Sequence, residues 1–397
     1  MLNVNTWKFA IAPITVVVIV TSLMAFGSGE FIVNLLYYKR KQRVLYIQPE
    51  SPIHTSFTVI LVLCAVLGIL LIHYYNETVE MAKVAGYKNG PLMLMYARKI
   101  ANRPVAGHIN HDIIGLHSKY IAEALAYCYS YIFLYNTIFF NKKNKKNILP
   151  ILIYIPYIVL STGRTRFIYL IAVWIIVGCI FYMQKKQWNP QFIGKVLKFG
   201  FLGIFIFLVI FIFAGSLRSS IFLEDTWMAL SGYIGFSIPS LNDFILHPRP
   251  QGVYFGEHTL FGIYQFLRKI GFVFPSFYAP YEFFTINGYT GNIYTIIRRY
   301  LEDFGYFGLY FILFFIGFLY SVLFLMINKK RNFALLLYAI IFFPVVEMAI
   351  EERFFMVIVS TSTIISAMYV AFFYSIFIEH NLFVKKQWFS IEVLNHE

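Results

Sequence analysis

Residues 291–327 read GNIYTIIRRYLEDFGYFGLYFILFFIGFLYSVLFLMI. The part from Tyr306 to Ile327 contains no charged residue. As a helix it rises about 33 Å, enough to cross a bilayer core of roughly 30 Å. Directly before it stand Arg298 and Arg299, followed one turn later by Glu302 and Asp303. A membrane span with two arginines and two carboxylates at its mouth decides the class of the chain and locates its chemistry.

The same apolar pattern recurs outward from this stretch. Of 397 residues, 59% are hydrophobic and only 13% charged, with a mean hydropathy of +0.68. A soluble domain carries about a quarter charged residues, so this chain is expected to be solvated mostly by lipid. The formal charge of +14 does not gather on one basic face, which argues against a nucleic-acid partner. Cys64, Cys128 and Cys179 all fall in apolar runs and offer no disulfide framework or zinc spacing. No internal repeat is visible, and the first apolar run lacks a small-residue cleavage site.

The first run, Phe9 to Tyr38, is interrupted by Gly27-Ser28-Gly29 and Glu30, and reads either as one tilted helix or as a hairpin. Further spans are expected at about Ile53–Tyr74, Lys119–Phe140, Ile148–Leu160, Phe167–Met183, Phe199–Ala214, Tyr306–Ile327, Ala334–Ile350 and Phe354–Ile378. In that threading the basic clusters at 39–43, 142–146, 185–186, 195–198, 329–331 and 385–386 all fall on one side, the cytoplasmic one by the positive-inside rule. The opposite, outer side receives residues 215–303 as one large loop, the GRTR turn (163–166) and the EER turn (351–353). Within that loop, Thr226 to Leu246 is semi-apolar and suits a segment lying on or dipping into the membrane. The expected fold is an all-α integral membrane protein of about 9–11 transmembrane helices, forming one polytopic domain over residues 1–397.

Residue type separates the two sides further. The cytoplasmic clusters hold fourteen lysines and three arginines, whereas the remaining basic residues are six lysines and ten arginines. Topology is indifferent between the two. Guanidinium is a planar fork that binds phosphate bidentately, while ammonium is a point charge. Arginine near a span costs roughly 2.5–3.5 kcal/mol without a compensating partner. Arg164 and Arg166 in the GRTR turn, Arg218 in GSLRSS, and Arg298 with Arg299 are therefore candidates to bind a lipid-linked diphosphate. Each has a plainer alternative: snorkelling anchors for the hairpin, or i,i+4 pairs of Arg298 with Glu302 and Arg299 with Asp303, worth about 0.2–0.5 kcal/mol each. Arg353 pairs easily with its neighbours in the EER turn.

For proton transfer the candidates are Asp303, Glu302 and His258. Asn292 and Tyr294 are candidates for sugar contacts. His108, His111 and Asp112 read as a solvated loop rather than a metal site, and neither a metal nor a nucleotide cofactor is required. No P-loop, Rossmann fingerprint, HExxH or GxSxG motif occurs.

Three places resemble one family, the bacterial oligosaccharide repeat unit polymerases (Wzy, or O-antigen polymerases). GNIYTIIRRYLEDFGYFG is similar to that family's signature before a late span. STGRTRF is similar to its arginine hairpin turn. SGYIGFSIPSLNDFIL with FGEHTLFGIYQFLRK is similar to the start of its large outer loop. The resemblance implies a GT-C-like glycosyltransferase of the bacterial plasma (inner) membrane, facing outward. It would polymerise undecaprenyl-diphosphate-linked repeat units into capsular, exo- or O-antigen polysaccharide, alongside chain-length regulator and flippase proteins. The functional residues it implies are Arg164, Arg166, Arg298 and Asp303. A flippase or transporter for lipid-linked oligosaccharide is the alternative from another class, although transporters usually show related halves. An O-antigen-type ligase would use a similar cationic site.

Overall fold

The computed structural model describes residues 10–38, 51–90, 92–102, 111–161, 165–216, 235–248, 252–274, 284–286, 289–291, 294–327, 332–358 and 360–379. Twelve α-helices among them are α1 (Pro13–Tyr38), α2 (Phe57–Val84), α3 (Met93–Asn102), α4 (Ile113–Phe140), α5 (Leu149–Leu160), α6 (Thr165–Lys185), α7 (Ile193–Ser216), α8 (Ser237–Leu246), α9 (Phe261–Lys269), α10 (Ile296–Ile327), α11 (Asn332–Glu347) and α12 (Thr361–Tyr374). Among the described residues a short hairpin pairs β1 (Phe284–Ile286) antiparallel with β2 (Tyr289–Gly291). Among the described residues, five helices are long and apolar enough to cross a membrane: α1, α2, α6, α10 and the last helix over Thr361–Glu379. The helices α4, α5, α7 and α11 cover further expected spans. The basic clusters at 39–43, 329–331 and 385–386 lie outside the described residues, as do Arg164, Arg218, Asn292, His108 and residues 226–234.

The chain divides into two compact units, Met1–Ile47 with Leu202–Ile365, and Gln48–Phe201 with Ser366–Glu397.

In the first unit α1 settles the open question of its run: it is one continuous helix. Gly27 and Gly29 do not break it, because Gly29 serves packing rather than a turn. A Cβ on Gly29 would lie 2.2 Å from the carbonyl oxygen of Phe314, and one on Gly317 would lie 2.1 Å from that of Phe26. Two glycines thus let the α1 and α10 backbones touch, as small residues do where lipid supplies no hydrophobic drive between helices. One helical stretch further along, Thr21 and Tyr310 share a hydrogen bond of 2.9 Å. The pairs 21/310 and 29/317 advance together, so the helices are parallel and their C-terminal ends, each followed by a basic cluster in the sequence, lie at the same end. At the opposite end, the Asn242 side chain in α8 accepts from the Ala12 N–H and from the Thr15 hydroxyl, both at 2.8 Å. Val18, Leu241, Ile296, Tyr300, Leu313 and Ile316 form the buried centre. Phe307, Phe311 and Phe315 on α10 and Leu23 and Phe31 on α1 point outward and are exposed, as lipid-facing side chains would be.

α10 is two helices in series. Gly305 has φ 65° and ψ −170°, a conformation open to glycine and not to residues with a Cβ. It separates a charged helix, 296–304, from the apolar span, 306–327, where the sequence predicts the span to begin.

In the second unit α2 and α4 run antiparallel. At one end the Asn136 side chain makes paired 2.8 Å hydrogen bonds to the backbone N–H and C=O of Ile53. At the other end the Glu77 carboxylate accepts from the N–H of Asp112, the N-cap residue of α4. α2 extends beyond the expected span to Val84, and the polar segment that follows folds back as α3. Ala97 of α3 packs on Met81 and Ala82 of α2, flanked by Tyr87, Tyr96 and Ile100. The short α5 carries Pro150 in its first turn and Pro156 within it, and Tyr157 donates to the carbonyl of Leu67 at 2.9 Å.

Candidate functional site

In the first unit the charged helix 296–304 is held from two sides. The Ile296 N–H donates to the Met348 carbonyl at 2.9 Å. The Tyr300 hydroxyl donates to Glu352 Oε1 at 3.1 Å. Glu352 in turn caps the next turn, accepting from the N–H groups of Phe355 (2.7 Å) and Met356 (3.0 Å). Burial pushes the Glu352 carboxyl up to about 7, against the opposing pull of these three hydrogen bonds. Its neighbours Glu351 and Arg353 form an ion pair of 2.9 Å nearer the surface, as expected for that turn.

Arg298 and Arg299 are both buried, with side chains only 1% and 3% exposed, and both face Glu302: its Oε2 lies 3.5 Å from Arg298 Nη2 and 3.8 Å from Arg299 Nη1. The expected pair of Arg298 with Glu302 is present. The expected pair of Arg299 with Asp303 is not; Arg299 reaches Glu302 one position earlier, at i,i+3. Glu302 therefore stands as the counter-ion to both guanidinium groups. The Arg298 guanidinium lies 3.8 Å from the centre of the Tyr294 ring and 5.3 Å from that of Phe244, a cation–π arrangement that favours Arg over Lys. Tyr294, expected to contact sugar, is 3% exposed and lies with its ring against Arg298.

Asp303 turns the other way. Its Oδ1 accepts from His258 Nδ1 at 3.1 Å and from the His258 backbone N–H at 3.3 Å, and its Oδ2 accepts from the Thr259 N–H at 2.6 Å. A glycine makes this docking possible: Gly256 has φ +64°, and a Cβ there would lie 2.8 Å from the Phe304 ring. The loop can thus lie against the end of the charged helix, and α9 starts directly after it. With Nδ1–H donated to Asp303, His258 keeps Nε2 for a ligand. Burial lowers the proton affinity of His258, but the Asp303 hydrogen bond and the charges of Glu302 and Asp303 outweigh it, so its pKa is raised, with Arg299 opposing. Arg299, Glu302, Asp303 and His258 are therefore close enough to act on one another. The sequence placed Asp303 and His258 only as alternatives; the structure joins them as a dyad.

In the second unit Arg166 opens α6 and pairs with Glu123 of α4 at 2.5 Å. Glu123 is buried and fully engaged: Oε1 also accepts from Tyr127 at 3.0 Å, and Oε2 from Ser366 at 3.1 Å. This is an internal strut tying α4, α6 and the last helix, with Arg166 paired within it. Glu123 escaped the sequence reading, and Glu352 entered it only as part of the EER turn. An ionisable residue inside an apolar span, as Glu123 is, was the available signal; nothing in the sequence singles Glu352 out of that turn.

No protein-family model, curated protein or solved structure matches the chain.

Proposed function

We propose that the chain is a glycosyltransferase of the bacterial plasma membrane that elongates polysaccharide from undecaprenyl-diphosphate-linked repeat units on the outer face. The observation that carries this proposal is the His258–Asp303 dyad beside two buried arginines at the mouth of a membrane span. The sequence resemblance to repeat unit polymerases supplies the substrate class and the GT-C-like fold.

In the proposed step, a hydroxyl oxygen of the acceptor unit attacks the anomeric carbon of the growing glycan. The bond from that carbon to the diphosphate oxygen breaks, and the lipid diphosphate leaves with the electron pair. The hydroxyl proton passes to His258 Nε2. Asp303 fixes the ring with Nε2 outward and stabilises the imidazolium that forms. Arg298 and Arg299 neutralise the charge developing on the diphosphate, most strongly in a dehydrated setting. Their guanidinium groups are closed to solvent here, so direct contact with phosphate requires the Tyr294 shelf to open. Arg166 is left out of this site because Glu123 holds it. Arg164, Arg218 and Asn292 lie outside the described residues and stay as candidates from the sequence.

Purified protein with a lipid-linked repeat unit tests the proposal. Lipid-linked chains longer than the input are expected. Transfer to a foreign acceptor instead would mean a ligase, and movement across the bilayer without chemistry would mean a transporter. Cysteine labelling should place residues 164 and 298 on the same, outer face; opposite faces would refute the topology on which the proposal stands.

A further inference from the structure

His73, at the end of the expected span, and Glu77, just beyond it, lie one turn apart on α2, and Asp112 caps the start of α4. One ligand atom from each lies within 4.8 Å of the others. We propose that these three residues bind one divalent transition-metal ion of the zinc type, clasping the polar end of α2 to the start of α4. This site is independent of the arginines and of the dyad, and it stands or falls separately from the proposed transferase activity.

His73 Nε2 lies 3.1 Å from Asp112 Oδ2 and 3.6 Å from Glu77 Oε1. Bonds of about 2.0–2.1 Å put the ligand atoms of a tetrahedral zinc site about 3.3–3.4 Å apart, between those two distances. His73 and Asp112 are 42% and 49% exposed at their side chains, which gives an ion and a fourth, water ligand a way in. One imidazole with two carboxylates suits Zn²⁺; Ca²⁺ and Mg²⁺ demand six or more oxygens.

The supporting hydrogen bonds are those a metal site needs. Asp112 Oδ1 is fixed by the Gly115 N–H at 2.7 Å, leaving Oδ2 turned toward His73. Glu77 Oε2 is held by His111 Nδ1 at 3.0 Å, and Oε1 is steadied by the Asp112 N–H at 2.8 Å. The His111 ring is itself stacked on the buried Tyr74, 3.9 Å between centres and 10° from parallel. Gly115 leaves the room for all this: a Cβ there would lie 2.0 Å from Glu77 Oε2. The sequence showed His111 and Asp112 as a solvated loop, because their partners sit 34 residues or more earlier in the chain.

Tag-free, full-length protein in detergent, stripped with chelator, is titrated with Zn²⁺ and with Co²⁺ followed by its visible ligand-field bands. One equivalent is expected to bind, with intense tetrahedral-type Co²⁺ bands and a Zn²⁺-dependent rise in Tm. His73→Gln and Asp112→Asn should each weaken Zn²⁺ binding by about 100-fold or more, and His111→Ala by about 10- to 100-fold. Gly115→Ala changes no ligand, yet should also weaken binding by displacing Glu77. An unaltered Tm in chelator shows that His73→Gln is folded. Zn²⁺ binding as tight in His73→Gln as in the wild type, or Ca²⁺ bound as tightly as Zn²⁺, overturns the proposal.

Discussion

Arginine meets carboxylate in each unit, and the two arrangements differ in a way that motivates the roles proposed for them. In the second unit one guanidinium, 27% exposed, faces one carboxylate that also accepts from Tyr127 and Ser366. In the first unit two guanidinium groups, 1% and 3% exposed, share Glu302, and one of them rests on an aromatic ring. Beside them a histidine is held by a separate carboxylate. A one-to-one pair locked by further hydrogen bonds is a strut. A pair of cations next to an oriented base has the parts of a site for a reaction that moves a proton and expels an anion.

The largest expected effect falls on the dyad. His258→Ala should lower polymerisation by about 10²–10⁴-fold, the usual contribution of a general base. In the proposed step neutral His258 is the active form, so the rate should rise with pH through its raised pKa. Asp303→Asn removes the carboxylate charge that helps raise it, so the acid limb of the rate profile should move to lower pH as the rate falls. An unmoved limb would separate Asp303 from His258 in catalysis.

Next comes Arg298→Lys, which keeps the charge but loses the fork and much of the stacking on Tyr294. Polymer yield should fall about 10²–10³-fold, the cost of one transition-state donor, with normal expression. Wild-type chain lengths would remove Arg298 from the site.

The contrast sharpens with Arg166. Arg166→Ala leaves Glu123 buried without its cation and should cost about 3–5 kcal/mol of stability, read as a lowered Tm. The double variant with Glu123→Gln should recover much of that loss and turn over normally per folded molecule. A folded double variant without turnover would break the distinction drawn between the two clusters.

Glu352 gives the smallest effect. Its carboxyl is pushed up to about 7 from an ordinary value of 4.5. The protonated form is the one the fold prefers, so its contribution to stability is complete below the ordinary value and lost as pH rises through about 7. Glu352→Gln should flatten the dependence of Tm on pH between 5 and 8, by a few degrees at most.

Much of the fold was legible because lipid solvation leaves a coarse mark: long apolar runs, with basic residues between them. The sequence located the span at Tyr306–Ile327, and the backbone break falls beside it at Gly305. It left the first run open because Gly27-Ser28-Gly29 and Glu30 look like a turn; a glycine that serves close helix contact cannot be told from one that bends the chain until its neighbour is known.

What the sequence alone determined about this protein is which segments are apolar and helical, where arginine replaces lysine, and that Arg298, Arg299, Glu302 and Asp303 cluster before a long apolar stretch. Only tertiary structure decided which carboxylate serves which cation. Asp303 went to His258, Glu302 to the two arginines and Glu123 to Arg166, across separations of up to 45 residues. Charge pairing is a matter of distances of a few ångströms, and those are set by packing between helices, which no local pattern records.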